Sequence, residues 1–200
     1  MKRAVLLTCL FAISVMPALG QSSPTRIRGT IVGLEGNVLT VATAAENRRV
    51  TLADGFRVNY VVKADLAKLV AGAYVGSAAV AQPDGTLRAL EVHIFPEAMR
   101  GTGEGHQPYD LGAQSTMTNG TVDAAALVES VNGRVLTVKY KDGEKKIFVA
   151  NDTPIVAYEA ADAKALIPGA HVYIVAQRGP DGSLSAARVN VGKNGLVPPM

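Results

Sequence analysis

His93 and His106 bracket a short stretch that also holds Glu97, Met99 and Glu104, with Asp110 and Met117 just beyond. Imidazole, carboxylate and thioether are the donors that a borderline or soft cation accepts. His93, Glu97, Met99, Glu104 and His106 are therefore the candidate metal set, suited to copper or zinc. No fixed-spacing motif such as H-E-x-x-H joins them, so convergence depends on the fold. The same stretch reads Arg100-Gly101-Thr102-Gly103-Glu104-Gly105, a glycine-rich backbone that can wrap an anion while Arg100 adds charge. Arg100, Glu104, His106 and Tyr109 are the corresponding ligand-binding candidates. The plainer alternatives stay open: His93 as a strand residue, His106 as a solvated loop residue, and the glycines as a flexible linker whose Arg100 pairs with Glu97 or Glu104.

Catalytic readings of these residues are weaker. Ser115, His106 and Asp110 are triad types, yet no G-x-S-x-G elbow positions the serine. Glu97 and Glu104 are a carboxylate pair whose separation nothing fixes. No catalytic residue is assigned, and the chain is expected not to be an enzyme.

The elements around this stretch form one pattern written twice. Residues 26–33 are rich in β-branched types and end at Glu35-Gly36-Asn37, a turn signal followed by Val38-Leu39-Thr40-Val41. Extended segments follow at 48–52 and 57–62, with a stop at Asp54-Gly55. Residues 65–70 have helix-like apolar spacing and a capping aspartate, so a helix of one to two turns is predicted, closed by Gly72. Two more strands, 74–81 and 87–95, are joined through Pro83-Asp84-Gly85. Gly36 to Val41 then recurs as Gly133-Arg134-Val135-Leu136-Thr137-Val138, a constant shift of 97 positions (133 − 36) that needs no gap. It also carries Asp65 to Asp162, Leu69 to Leu166, Gly72 to Gly169, Val75 to Val172, Leu87 to Leu184 and Val92 to Val189, as two copies of one unit require. On this alignment Ala126 stands where the first copy has Gly29.

Five strands with a short helix before the fourth is the element order of an OB-like barrel. The predicted fold is all-β with short helices: two tandem five-stranded OB-like barrels, at 26–95 and 121–192, joined by a Gly-rich segment at 96–120. Residues 193–200, with Pro198 and Pro199, are expected to be a disordered tail.

Each half resembles a family of exported bacterial domains of unknown function. The likeness rests on Gly29, Gly36 to Val41, Leu69 to Val75 and Asp84 to Val92, and on the second copies at Gly133 to Val138, Leu166 to Val172 and Asp181 to Val189. These are turn and core positions, so the resemblance implies architecture and little chemistry. Similar whole proteins sometimes carry a metal-transporter permease label, which at most points to a metal, because no span suitable for a permease is visible.

The start of the chain supports export. Lys2 and Arg3 precede an apolar run at 4–15 and a small-residue exit at Ala18-Leu19-Gly20, a secretory signal over residues 1–20. That run falls short of the roughly 20 apolar residues of a membrane span, so no membrane insertion is expected after cleavage. The single cysteine, Cys9, lies inside the segment to be removed. Removing Lys2 and Arg3 from 20 basic against 17 acidic residues leaves 18 against 17, a net charge of +1. With 5% aromatic residues and no tryptophan, such a surface does not suit nucleic acid. The sequence therefore predicts a periplasmic or secreted, non-catalytic binding or envelope-interaction protein whose partner is a small molecule, a metal ion or an envelope protein. The alternative is a periplasmic copper- or zinc-type metal protein that uses the joint.

Overall fold

A computed structural model describes residues 24–200, and of residues 124–130 the backbone alone. The expected signal at residues 1–20 and Cys9 lie outside the described residues. The strands are β1 (Thr25–Glu35), β2 (Val38–Ala42), β3 (Asn47–Lys63), β4 (Tyr74–Ala81), β5 (Leu87–Ile94), β6 (Gly105–Pro108), β7 (Thr116–Ser130), β8 (Gly133–Tyr140), β9 (Gly143–Ala150), β10 (Ile155–Ala161), β11 (His171–Arg178) and β12 (Leu184–Gly192). The protein is mostly β, as its alternating apolar positions require. The helix expected at 65–70 is only a 3-10 turn, Leu66–Lys68, with no buried residue. Leu69, just past that turn, is fully buried and Leu66 packs beside it, so two side chains anchor the segment and a longer helix, whose nucleation is costly, is not needed to bury them. The break expected at Asp54-Gly55 is a bulge inside the continuous β3: Ala186 and Arg188 of β12 pair with Leu52 and Arg57 across it.

Pairing runs β1-β2-β3-β12-β11 and returns from β11 to β1, which closes a five-stranded barrel. The closing contact between β3 and β12 is parallel, and the other four are antiparallel. The strands β4, β5, β9, β8 and β7 are linked in the corresponding circuit, joined by a short parallel contact in which Leu87 and Arg88 pair with Ile147 and Phe148. Each circuit thus takes three strands from one half of the chain and two from the other. The boundaries 26–95 and 121–192 mark the repeat units, while the circuits cross them, which corrects the expectation that each half closes on itself.

The two cores confirm the repeat. Leu39, Val41, Val50, Val58 and Val189 sit in one cluster, and Leu136, Val138, Ile147, Ile155 and Val92 hold the matching places in the other. In the first strand of each unit, however, the alignment shifts. Thr30 pairs with Ala42 and Thr121 with Lys139, so Thr121 is the counterpart of Thr30 at an offset of 91. Gly29 therefore corresponds to Gly120 and not to Ala126. A Cβ on Gly29 would collide with the Ala42 carbonyl, and one on Gly120 with the Lys139 carbonyl. Both glycines are there because another strand's backbone lies against them.

The halves meet where β3 and β10 pair antiparallel, with Val61 opposite Tyr158. These two are counterparts at the 97-residue offset, so a pseudo-two-fold axis passes between them. A third apolar cluster at this seam contains Val61, Tyr74, Phe95, Tyr158, Tyr173 and Met200. Met200 is fully buried and its carbonyl accepts a hydrogen bond from Arg28 Nε at 2.7 Å. The tail expected to be disordered is therefore packed, because its terminal apolar side chain completes the seam. The joint is likewise ordered: β6 pairs with β7 from Gly105–Asn119 to Pro108–Thr116.

Candidate functional site

On β5, Val92 points into a core, so Glu91 and His93 share the opposite face. On an isolated barrel that face would meet water, but here the seam covers it. Glu91 is fully buried and His93 is 4% exposed. The His93 ring nitrogen Nδ1 lies 3.0 Å from Glu91 Oε2, and Glu91 Oε1 accepts the backbone N–H of Ala78 at 3.0 Å. The carboxylate fixes the imidazole, which also meets Phe95 edge-on at 4.8 Å and Tyr158 at 5.8 Å.

β12 repeats the arrangement. Val189 enters the other core, and Arg188 and Asn190 turn to the seam. Asn190 is satisfied, accepting from Asn59 at 3.0 Å and donating to the Tyr173 carbonyl at 3.2 Å. Between these strands lies a cavity of about 580 Å³, within the range usual for small-molecule sites. Its inner wall includes His93, Phe95, Asn119, Tyr158, Tyr173 and Asn190. Exposed Pro24, Gln107, Gln177, Ser185 and Ala187 stand toward the surface.

Two polar atoms of this lining are buried without a hydrogen-bond partner among the described residues, Asn119 Oδ1 and Arg188 Nε. The Asn119 amide cannot turn to resolve this. Its nitrogen donates to the carbonyls of Thr102 and Gly103 at 3.2 and 3.1 Å, so reversal would set oxygen against oxygen. Asn119 Oδ1 and His93 Nε2 both crowd the point where Gly76 would carry a Cβ.

Tyrosines form much of the wall. Burial pushes the Tyr158 hydroxyl well above its ordinary pKa, and burial likewise raises Tyr109 and Tyr173, whose hydroxyls meet at 2.9 Å. Arg26 lies over the Tyr109 ring at 4.5 Å. Arg28 holds Asp110 through two hydrogen bonds of 3.1 and 2.8 Å, which keep that carboxyl below the usual carboxylate range.

The residues singled out in the sequence fall into different places. His93, Met99 and Tyr109 line the cavity, as does Met117. Glu97 is exposed and pairs with Arg100 at 2.6 Å. Arg100 also donates to Thr121 and the Gly72 carbonyl, so its guanidinium fastens the joint. Glu104 is exposed, and His106 bonds Thr118 at 2.8 Å while stacking on Tyr140. Ser115, His106 and Asp110 have separate partners, Ser115 bonding the Tyr109 carbonyl. Among the described residues, no three of His, Cys, Asp and Glu lie where they could hold one ion. Sequence reasoning missed Glu91, Asn119 and Arg188. The available signal was strand alternation about Val92 and Val189, which places Glu91 beside His93 and Arg188 beside Asn190.

No protein-family model, curated protein or solved structure matches the chain. No helix among the described residues is long and apolar enough to cross a membrane.

Proposed function

We propose that this chain is an exported, non-catalytic binding protein that takes a small molecule into the cavity at the seam of two OB-like barrels. Each barrel has strands one to three of one repeat and strands four and five of the other. Their shared circuit order and matched cores support this reading. The observation that carries the function is the pair of unpartnered buried atoms, Asn119 Oδ1 and Arg188 Nε, in a cavity walled by tyrosines. Leaving such groups unmatched costs about 1–3 kcal/mol each, which a ligand that pairs with them would offset. Export rests on the sequence of residues 1–20.

A ligand-observed NMR screen with a soluble fragment library tests the binding reading. Fragments should bind the wild type and fail on Ala187→Trp, which plugs the exposed side of the cavity without touching a core. Fragments that bind both equally, or none that bind, would contradict it. A metal reading keeps one observation in its favour: Glu91 holds His93 Nδ1 as carboxylates hold metal-ligating histidines, with Met99 and Met117 in the same wall. Adding copper(I) or zinc to the same sample should shift the His93 ring resonances if that reading is correct.

A further inference from the structure

We infer that the seam cavity selects a monoanion, a carboxylate carried on an aromatic or aliphatic body that also bears an N–H or O–H donor. This rests on the reading of the cavity as a binding site. Its lining contains two arginines, Arg26 and Arg188, and no aspartate or glutamate. Around it stand three guanidiniums, those of Arg26, Arg28 and Arg188, and two side-chain carboxylates, Asp110 and Glu91, while Arg28 Nε also donates to the Met200 carbonyl. Asp110 is engaged by Arg28 at 2.8 Å and by Arg26 at 3.9 Å. Glu91 is engaged by His93 and by the Ala78 N–H. Arg188, with its buried Nε unpartnered and no carboxylate within ion-pair distance among the described residues, is the one of the three guanidiniums left without an acceptor.

A buried guanidinium N–H asks for an acceptor, most strongly an anionic one. Asn119 Oδ1, fixed as an acceptor by its two carbonyl partners, asks instead for a donor. One ligand with a carboxylate at one end and a hydroxyl or N–H elsewhere meets both. The rings of Phe95 and Tyr158, with Met99 and Met117, give the body between these ends an apolar enclosure. A cationic ligand meets two arginines and no lining carboxylate.

The test is a titration of the full mature protein with matched series on common skeletons: 4-hydroxyphenylacetate, its primary amide and tyramine, then indole-3-acetate and its amide. Carboxylates should bind roughly ten- to a hundred-fold more tightly than their amides, the difference a charged hydrogen bond makes, and tyramine should bind worst. Arg188→Gln should erase the carboxylate preference and Arg188→Lys should retain part of it. Should Arg188→Gln fail to fold, the wild-type ratios and Arg188→Lys decide. Amides that bind as well as carboxylates would overturn the anion assignment and leave the cavity reading standing. No binding by any member, in a protein that does bind neutral fragments, would overturn it as well. No binding by any member or fragment would defeat both readings.

Discussion

At the scale of single residues, the site depends on groups whose charge or orientation has been fixed by neighbours. Asp110 is the clearest case outside the cavity. Its hydrogen bonds from Arg28 lower its pKa, so the ion pair contributes stability in full above about pH 4, the ordinary aspartate value, and loses it as pH falls through the depressed value. Stability curves measured by denaturant titration for wild type and Asp110→Asn should therefore be separated near neutral pH and converge between about pH 4 and pH 2. Parallel curves across that window would mean that the pair contributes nothing. The magnitude is small, since half of the Asp110 side chain faces solvent, where screening weakens ion pairs. Glu91 and Arg188 show what a sequence withholds at this scale. A charged residue alternating with core valines on a strand reads as solvent-facing, and that reading holds for one barrel alone. Only the strands of the other circuit, packed over the same face, bury Glu91 and half-bury Arg188 at the seam. His93, Met99 and Tyr109 were legible as polar or polarizable residues crowded without periodic reason, although the ring of metal donors drawn from the joint was not.

At the scale of elements, turn residues and core positions made the strands legible, because both must recur wherever the same hairpin and the same inward face recur. The shifted first strand was not legible from the constant offset. β7 carries two more residues between the partners of Val138 and Leu136 than β1 does between those of Val41 and Leu39, and the hairpin end from Val128 to Val135 is four longer than that from Glu35 to Val38, so Gly120 takes the place of Gly29. Packing explains the identity of both: atoms of Ala42 and Lys139 would lie 2.9 Å from an added Cβ. Gly29→Ala and Gly120→Ala should each destabilise the protein by about 1–3 kcal/mol, the cost of overpacking. Gly33→Ala, where an added Cβ meets nothing within 4 Å, should be close to neutral. Thermal unfolding of the three variants reads this directly, and a loss at Gly33 as large as those at Gly29 and Gly120 would refute the packing explanation. The joint and the tail were expected to be loose because glycine and proline mark breaks in regular structure. Both are instead ordered by contacts that composition cannot report: the β6–β7 ladder for the joint, and the burial of Met200 for the tail.

At the scale of the whole molecule, duplication was legible and the exchange of strands was not, for one physical reason. Strands four and five of either repeat present nearly the same apolar face, so the sequence permits them to close their own circuit or the other one. What distinguishes the outcomes is the path after β3 and after β10. After β3 the Gly72 N–H donates to the Val122 carbonyl, and in the second repeat the Gly169 N–H donates to the Ile31 carbonyl, both at 2.9 Å. Each connector is thereby fastened to the first strand of the opposite repeat, and the strand that follows enters the opposite circuit. The cavity is a product of this arrangement, since His93, Phe95 and Met99 come from one half while Tyr158, Arg188 and Asn190 come from the other. The most direct test is to produce residues 21–112 and 113–200 as separate chains and record thermal unfolding of each alone and of the equimolar mixture. Neither half should show a cooperative transition alone, and the mixture should recover one near that of the intact chain. Two halves that each melt cooperatively, with no change on mixing, would contradict the exchange and the shared cavity with it.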